Sequence, residues 1–271
     1  MRASADMHER TFDRLREIVY STGGISLSDR KEALVSARVG RRMRTLGITG
    51  YDDYLMYLED HNDEVVGLLD AVSTNVTSFF REPHHFEYLG EAVNDWYADG
   101  QRRFRFWSAA CSTGEEPYSL AMVLKEALPY PDVDVRILAT DISTEVLATC
   151  EQAIYDGRRM APVPVDLRHR WFSARGRGED ATWEPKDRLR DMVVFRRMNL
   201  SAPPFPMSGP LDAIFCRNVM IYFDDAVRRR LLAEAHRLLR PGGFFFVGHA
   251  ESLAGMLSEL KYVRPSIYRK A

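Results

Sequence analysis

The sequence has few cysteines, almost no net charge and no long apolar run, and each shortage excludes a class of protein. Its three cysteines, Cys111, Cys150 and Cys216, include no C-x-x-C pair. Neither a zinc knuckle nor a disulfide framework is therefore indicated, and we expect reduced thiols and a cytoplasmic location. The 37 basic and 39 acidic residues leave a net charge of -2, which argues against a nucleic-acid-binding protein.

Apolar runs long enough to cross a membrane are also missing from the sequence. No stretch approaches the roughly 18 consecutive apolar residues of a transmembrane helix. Residues 1–10 lack the apolar core of a signal peptide, so neither export nor direct membrane insertion is expected.

The hydrophobic pattern divides the chain into two parts. From about residue 10 to 72, apolar residues recur at helical spacing without any strand signal, which predicts a small all-α domain over residues 1–75. From about residue 102, strands alternate with helices, which predicts a mainly parallel sheet covered on both faces in a domain over residues 76–271. The predicted strands are 104–110, 135–141, 211–216, 243–248 and 266–270, and the predicted helices are 117–127, 143–154 and 225–239.

One interval interrupts this alternation. Between residues 157 and 197, glycines and prolines separate short apolar stretches, including 170–173 and 192–195. This pattern predicts a small antiparallel β insertion on the main domain.

The strongest chemical signal lies between the first predicted strand and its helix, at residues 108–119 (SAACSTGEEPYS). Small side chains here would let a ligand approach the backbone at the carboxyl edge of a parallel sheet, where nucleotide-like ligands bind. The stretch is neither a G-x-G-x-x-G nor a phosphate loop, and Glu115 and Glu116 would repel a pyrophosphate. Acidic residues suit a ligand with a cationic amino group and no phosphates, so S-adenosylmethionine fits better than NAD or ATP.

Three more candidate contacts follow predicted strands. Asp141 ends the second strand, where an acidic side chain reaches ribose hydroxyls in related folds. Asn199-Leu200 and Arg217-Asn218 follow later strands and are candidates for the adenine and methionine ends of the cofactor. Ordinary turn residues and polar strand exits are the alternative interpretation.

Five motifs occur together and in order: residues 74–86 (TNVTSFFREPHHF), 112–118 (STGEEPY), 139–142 (ATDI), 215–223 (FCRNVMIYF) and 239–243 (LRPGG). In this combination the chain resembles the CheR family of chemotaxis receptor methyltransferases over nearly its whole length. The first and fourth motifs are highly specific, whereas the last is shared by many methyltransferases. The resemblance implies a Rossmann-like domain that uses S-adenosylmethionine as methyl donor, receptor glutamates as acceptors, and S-adenosylhomocysteine as product.

Matched position by position, the resemblance implies a set of cofactor contacts: Asn75, Thr77, Arg81, Glu115, Asp141, Asn199, Leu200, Arg217 and Asn218. Arg81 would hold the cofactor carboxylate through two hydrogen bonds. From the residues alone, Asn75 and Thr77 would be interpreted as helix-capping. We interpret His84-His85 as structural and expect no metal, because adjacent helical residues point about 100° apart.

The chemistry of carboxylate methylation needs few catalytic groups. A glutamate acceptor is already ionised at neutral pH, so no general base is required. The enzyme must align the reactants and exclude water. Tyr222 is our candidate for orienting the acceptor carboxylate through its hydroxyl, and the alternative is an aromatic ring that fills the base of the pocket. Residues 218–222 also lack the prolines of the loop typical of amine methyltransferases, which argues weakly against an amine acceptor.

Candidate substrate-recognition residues lie on a predicted amphipathic helix over residues 29–46. Its cationic face includes Arg38, Arg41, Arg42 and Arg44. In a nearly neutral chain this face is a candidate to bind the cytoplasmic helical region of a chemoreceptor. An ordinary solvated surface is the alternative, and RNA is disfavoured because interleaved aromatics are lacking.

The β insertion is a second candidate contact with the receptor. In the family this subdomain can dock a receptor C-terminal peptide, and here it carries Arg168, Arg170, Arg175 and Arg177. We expect the protein to be a monomer. The competing hypotheses are a methyltransferase with another acceptor, such as RNA or a small molecule, and a non-catalytic protein that signals through cofactor binding.

Overall fold

The computed structural model describes residues 9–176, 178–253, 255–256 and 259–271. The described chain begins with four helices, α1 (Glu9–Gly23), α2 (Glu32–Leu46), α3 (Tyr51–Asp60) and α4 (Glu64–Val72). Apolar side chains at helical spacing, among them Leu15, Val39 and Leu68, are buried in a core of their own. The predicted all-α region is confirmed.

The start of α2 differs from the prediction. Asp29–Lys31 forms a 3₁₀ turn, and α2 begins at Glu32 and not at residue 29. The helix ends before Gly47, which adopts φ +75° and donates its N–H to the carbonyl of Arg44, as a glycine C-cap does.

The second part of the chain supplies the sheet and its covering helices. Its helices are α5 (His84–Ala98), α6 (Glu115–Ala127), α7 (Thr144–Gln152), α8 (Gly157–Met160), α9 (Val165–Trp171), α10 (Asp187–Arg190) and α11 (Asp225–Leu238). Its strands are β1 (Arg103–Ala109), β2 (Asp134–Asp141), β3 (Tyr155–Asp156), β4 (Phe172–Arg175), β5 (Thr182–Pro185), β6 (Val193–Arg197), β7 (Leu211–Cys216), β8 (Leu239–Phe246), β9 (Leu260–Arg264) and β10 (Ile267–Lys270).

The main sheet of the described residues has seven strands in the order β6-β2-β1-β7-β8-β10-β9. The first five run parallel, and β10 and β9 add an antiparallel hairpin at one edge. The strand order turns from one direction to the other between β1 and β7. In open parallel sheets, ligands bind in the crevice at this turning point.

Alternation along the central strands buries both faces of the sheet. Phe215 and Phe246 pack on the face covered by α5 and α6, whereas Ile214 and Phe245 pack on the face covered by α11. The predicted Rossmann-like sheet with helices on both faces is therefore confirmed.

The predicted antiparallel insertion is present as a small sheet in the order β3-β5-β4. The assignment of residues 192–195 to it is wrong, because β6 pairs in parallel with β2 in the main sheet. As an edge strand, β6 is only partly covered: Val193 is buried, but Val194 is 38% exposed. Its apolar run, residues 192–195, is short and is followed by Arg196 and Arg197, unlike the longer run of a central parallel strand.

Candidate cofactor and acceptor site

A cleft opens at the carboxyl edge of the sheet, between the helical residues and the turning point of the strand order. Its empty volume, open solvent included, is about 1160 Å³. The predicted residues that line it are Arg38, Asn75, Thr77, Arg81, Asp141, Asn199, Leu200, Arg217, Asn218 and Tyr222. Residues from distant parts of the sequence thus meet in one place.

Asp141 is held by backbone groups at the end of β2. Its Oδ2 accepts the N–H of Ser112 at 2.9 Å, and its Oδ1 accepts the N–H of Ser143 at 3.0 Å. Burial raises the pKa of Asp141, and these backbone hydrogen bonds offset part of that effect. Because a carboxylate offers about four acceptor sites, both oxygens can still bind ligand hydroxyls.

The two glutamates that begin α6 have different surroundings. Glu115 is 1% exposed, accepts a 2.7 Å hydrogen bond from Thr113 and lies 3.5 Å from Nε of Arg159. Among the described residues Glu116, and not Glu115, lines the cleft. Consecutive helical residues point about 100° apart, so only one of the pair can face a ligand there. Sequence reasoning selected Glu115, since the motif alone does not fix the rotation of the helix.

Arg217 is enclosed by two carboxylates. Its Nη1 lies 3.0 Å from Glu116 and its Nη2 lies 3.1 Å from Glu82, while Nη2 also donates to the carbonyl of Arg81. The Arg217 side chain is 1% exposed, and its Nε has no hydrogen-bond partner within the described part of the chain. Burial raises the pKa of both carboxyls, but at Glu82 the positive charge of Arg217 wins and holds the pKa below its usual value. The guanidinium is therefore fixed and neutralised by the protein itself.

Glu251 holds the loop that follows β7. Its carboxylate accepts the backbone N–H groups of Asn218, Ile221 and Gly248 at 2.8, 3.2 and 2.7 Å. These bonds fix Asn218 in a left-handed conformation with φ +59°. Sequence reasoning missed Glu251 because no motif surrounds it and two of its three partners, Asn218 and Ile221, lie 33 and 30 residues away in the sequence.

The segment between α4 and α5 crosses the cleft. The carbonyl of Asn75 accepts the hydroxyl of Ser112 at 3.0 Å, and Nη1 of Arg81 donates to the carbonyl of Val76 at 2.9 Å. The helix-capping interpretation of Asn75 and Thr77 is wrong, because α5 begins later, with Pro83 in the N-cap position.

Asn199 joins the loop after β6 to the end of α1. Its Nδ2 donates to the carbonyl of Thr22 at 2.6 Å, and its Oδ1 accepts the N–H of Ser201 at 2.9 Å. Leu200 is buried and forms an apolar part of the wall.

Tyr222 lies in the 3₁₀ turn Met220–Tyr222 at the helical side of the cleft. Its carbonyl accepts the N–H of Ser26 at 2.7 Å. The ammonium of Lys31 lies 4.8 Å from the centre of its ring. Tyr222 is thus placed where the helical part and the sheet meet.

The four predicted recognition arginines fall into two pairs. Arg38 donates two 2.8 Å hydrogen bonds to carbonyls at the end of α4, and Arg42 forms a two-point ion pair with buried Glu64 at 2.9 and 2.6 Å. Arg41 and Arg44 are exposed. Among the described residues, the side chains of the second pair form no hydrogen bond or ion pair, so this pair can meet a partner without first breaking such contacts.

The arginines of the β insertion are mostly engaged within the chain. Arg170 and Arg175 are ion-paired, and Arg168 lies 4.8 Å from the ring centre of Trp183. Arg177 lies outside the described residues.

The adjacent histidines pack beside Arg217. His85 is fully buried, and burial together with the charge of Arg217 lowers its pKa to about 2. His84 stacks on His249 with ring centres 4.7 Å apart. Within the described ranges, no group of three or more histidine, cysteine or acidic side chains is placed to hold a metal ion.

Two other features of the described residues bear on the sequence predictions. None of their helices has the length and apolarity needed to cross a membrane. Cys111, Cys150 and Cys216 are buried free thiols.

Known proteins resemble the chain over almost its full length. The family model of the CheR methyltransferase all-alpha domain matches residues 10–73, and that of the CheR methyltransferase SAM binding domain matches residues 75–268. Chemotaxis protein methyltransferase 2 of Pseudomonas aeruginosa is 41% identical over 261 residues, which cover 96% of this chain and 92% of that protein. The chemotaxis protein methyltransferase of Escherichia coli is 39% identical over 259 residues, which cover 93% and 86%. Among solved structures, a SAM-dependent methyltransferase from Methanosarcina mazei is 18% identical with a TM-score of 0.34, and the match covers 54% of this chain and 52% of that one.

Proposed function

The chain belongs to the CheR methyltransferase family, and from this premise we propose that it methylates glutamate side chains of bacterial chemoreceptors. The protein is an S-adenosylmethionine-dependent methyltransferase. The observation that carries the proposal is the cleft itself, in which Glu116 and Asp141 lie at the sheet and Lys31 and Arg38 lie on the helical side.

The sheet side of the cleft suits S-adenosylmethionine. Asp141 keeps acceptor sites for ribose hydroxyls, and partly buried Glu116 offers a carboxylate to the amino group of the methionine part. Leu200 supplies an apolar surface for the adenine, and Arg81 is the cation for the cofactor carboxylate. Asn75, Thr77 and Asn218 line the same space and offer polar groups. When bound, the cofactor supplies a methyl group on a positively charged sulfur.

The protein's own contribution to the reaction is placement. The acceptor glutamate is ionised at neutral pH, so the cleft needs no residue to remove a proton. Tyr222 orients the acceptor carboxylate through its hydroxyl, and the segment between α4 and α5 covers the cleft against water. Each methyl ester removes one negative charge from the receptor, which changes repulsion within its helices.

Receptor binding involves surfaces beyond the cleft. The exposed pair Arg41 and Arg44 on α2 provides positive charge for an acidic helical region of the receptor. In the insertion, β4 is an edge strand with three exposed residues. Such an edge can pair with an extended receptor C-terminal peptide by adding a strand.

We assign receptor recognition to residues 1–75, cofactor binding to residues 76–271 and peptide docking to the insertion at 157–197. The protein acts as a cytoplasmic monomer in this proposal, and the buried free thiols support a reducing compartment.

The test is incubation with cofactor labelled in the methyl group and cytoplasmic fragments of chemoreceptors, with and without the receptor's C-terminal residues. We expect label in the receptor that alkali releases, as methyl esters require, and stronger labelling of the longer fragment. Alkali-stable label would point to another acceptor. Cofactor binding without any transfer would support a non-catalytic role, and equal labelling of both fragments would remove β4 from the proposal.

A further inference from the structure

Four cationic side chains line the cleft in the described structure, and three of them are already engaged. Arg217 is enclosed by Glu82 and Glu116. Arg38 donates to the carbonyls that end α4. Arg81 donates to a carbonyl of its own loop, and the proposed function assigns it to the cofactor carboxylate.

Lys31 is the fourth, and its ammonium differs from the others. It has neither an ion pair nor a hydrogen bond to any described residue, and its contact is with the ring of Tyr222 at 4.8 Å. The hydrogen bond from Ser26 to the carbonyl of Tyr222 ties the two segments together. The charge is thus held at the helical side of the cleft without a counter-ion.

Exposed apolar side chains lie in the lining of the cleft that contains Lys31. Leu34, one helical turn further along, and Val76 both line the cleft, yet they are 48% and 76% exposed. Exposed apolar side chains around a cleft commonly mark a surface for a partner. The apolar side chains of a receptor helix that carries the acceptor glutamate can pack against Leu34 and Val76.

We propose that Lys31 binds the acceptor carboxylate beside Tyr222 and thereby selects an ionised glutamate over a neutral glutamine. The inference rests on the proposed function, because it needs an anionic acceptor. An ammonium supplies three donors and a full charge, whereas the Tyr222 hydroxyl supplies a single neutral donor. Together, the ammonium binds the negative charge of the acceptor carboxylate and the hydroxyl sets its orientation.

The reaction itself predicts how loss of Lys31 divides between binding and catalysis. As the methyl group moves to the acceptor oxygen, the negative charge of the carboxylate disappears. The ion pair with Lys31 is therefore stronger with the bound acceptor than in the transition state. Removing it raises KM for the receptor and does not lower kcat, because the interaction stabilises the bound acceptor at least as much as the transition state.

The experiment compares Lys31→Met, Lys31→Arg and wild type on a glutamate-bearing receptor fragment, with Lys261→Met as the matched control. Lys261 is exposed on β9 and does not line the cleft. We expect KM for the receptor to rise about tenfold or more in Lys31→Met, as for loss of a hydrogen bond to a charged group. Lys31→Arg should restore most of the affinity, and Lys261→Met should behave as wild type.

Two further readouts separate this role from a structural one. S-adenosylhomocysteine affinity, measured by calorimetry, should be the same in Lys31→Met and wild type. A receptor fragment with glutamine at the acceptor position should bind to wild type far more weakly than the glutamate fragment does, as measured by competitive inhibition. Lys31→Met should lose this preference for the glutamate fragment. Unchanged KM and preference in Lys31→Met, or a parallel loss of S-adenosylhomocysteine affinity, would overturn the inference alone. Absence of receptor labelling by wild type would overturn the proposed function and the inference with it.

Discussion

Arg41 and Arg42 are neighbours on α2 with the same side chain and different surroundings. Arg42 pairs with Glu64, which is 5% exposed and also accepts the hydroxyl of Tyr54 at 2.8 Å. Although burial raises the pKa of Glu64, the hydrogen bonds from Arg42 and Tyr54 hold it below its usual value. Arg42 therefore stabilises the helical core, whereas Arg41 extends into solvent.

Replacing each arginine by alanine tests this difference. Breaking a buried ion pair costs about 3–5 kcal/mol, but Arg42 is 35% exposed and Tyr54 remains. We therefore expect Arg42→Ala to lower the free energy of unfolding by about 2 kcal/mol and Arg41→Ala to change it by less than about 0.5 kcal/mol. Urea unfolding measures both, and equal effects would contradict the assignment. Tests of receptor binding should accordingly change Arg41 and Arg44, since loss of Arg38 or Arg42 disturbs the fold.

Individual residues show how much of the site could be predicted from the sequence. Asp141 and Arg217 could be predicted, because Asp141 ends a strand and Arg217 follows one, and each strand has a clear apolar run. Glu116 could not be separated from Glu115 without the rotation of α6. Glu251 could not be found at all, since its role comes from three backbone N–H groups that only the folded chain brings together.

At the scale of elements, the backbone just after β8 packs closely against the loop after β7. A Cβ on Gly248 would lie 2.9 Å from the backbone nitrogen of Asn218, and real side chains do not tolerate that contact. Gly90 on α5 offers a matched control, because a Cβ there would meet only Val123 at 3.7 Å.

We expect Gly248→Ala to displace the loop that carries Arg217, Asn218 and Tyr222. A misplacement of about 1 Å can lower catalysis by roughly 100-fold, so methyl transfer should fall by about one to two orders of magnitude. Gly90→Ala should keep full activity and raise stability by up to about 1 kcal/mol, through helix propensity. Receptor labelling rates and urea unfolding measure both effects. Normal kinetics in Gly248→Ala would show that the loop adjusts without consequence.

The central elements were predictable and the edge elements were not, for one physical reason. The carboxyl-terminal halves of β1, β2, β7 and β8 are mostly buried, and their sequences there are largely apolar, as expected for strands covered on both faces. Edge strands β6 and β9 face solvent in part, and in β9 only Leu260 is buried. Their patterns are then hard to distinguish from loops.

At the scale of the whole molecule, the cleft exists because the helical part docks on the sheet. Asp70 accepts the N–H and hydroxyl of Thr144 at 3.1 and 2.9 Å, and Asn199 donates to Thr22 at 2.6 Å. The residues that face the acceptor and those that face the cofactor therefore come from different parts of the chain. The sequence predicts each part from local patterns, but it carries no local signal for how they dock.

The stability of the whole molecule should depend on pH through His85. Burial and the charge of Arg217 lower its pKa to about 2, whereas an unfolded histidine has a pKa of about 6.5. Below about pH 6.5 the unfolded chain binds a proton that the folded chain excludes. The contribution of neutral His85 to the free energy of unfolding is therefore fully present above about pH 6.5. As the pH falls below this value, the contribution decreases by up to about 1.4 kcal/mol per pH unit.

Replacing His85 by phenylalanine removes this titration and keeps an aromatic ring against Phe246, whose ring centre lies 5.5 Å away. We expect the free energy of unfolding of His85→Phe to fall less steeply than that of wild type between pH 6 and pH 4, by about one proton. Above pH 7 the free energies of unfolding of the two proteins should differ by an amount that does not change with pH. Urea unfolding at fixed pH values from 8 to 4 gives both slopes. Identical slopes would mean that His85 binds a proton in the folded protein as readily as in the unfolded chain, and that the buried cluster beside Arg217 opens to water.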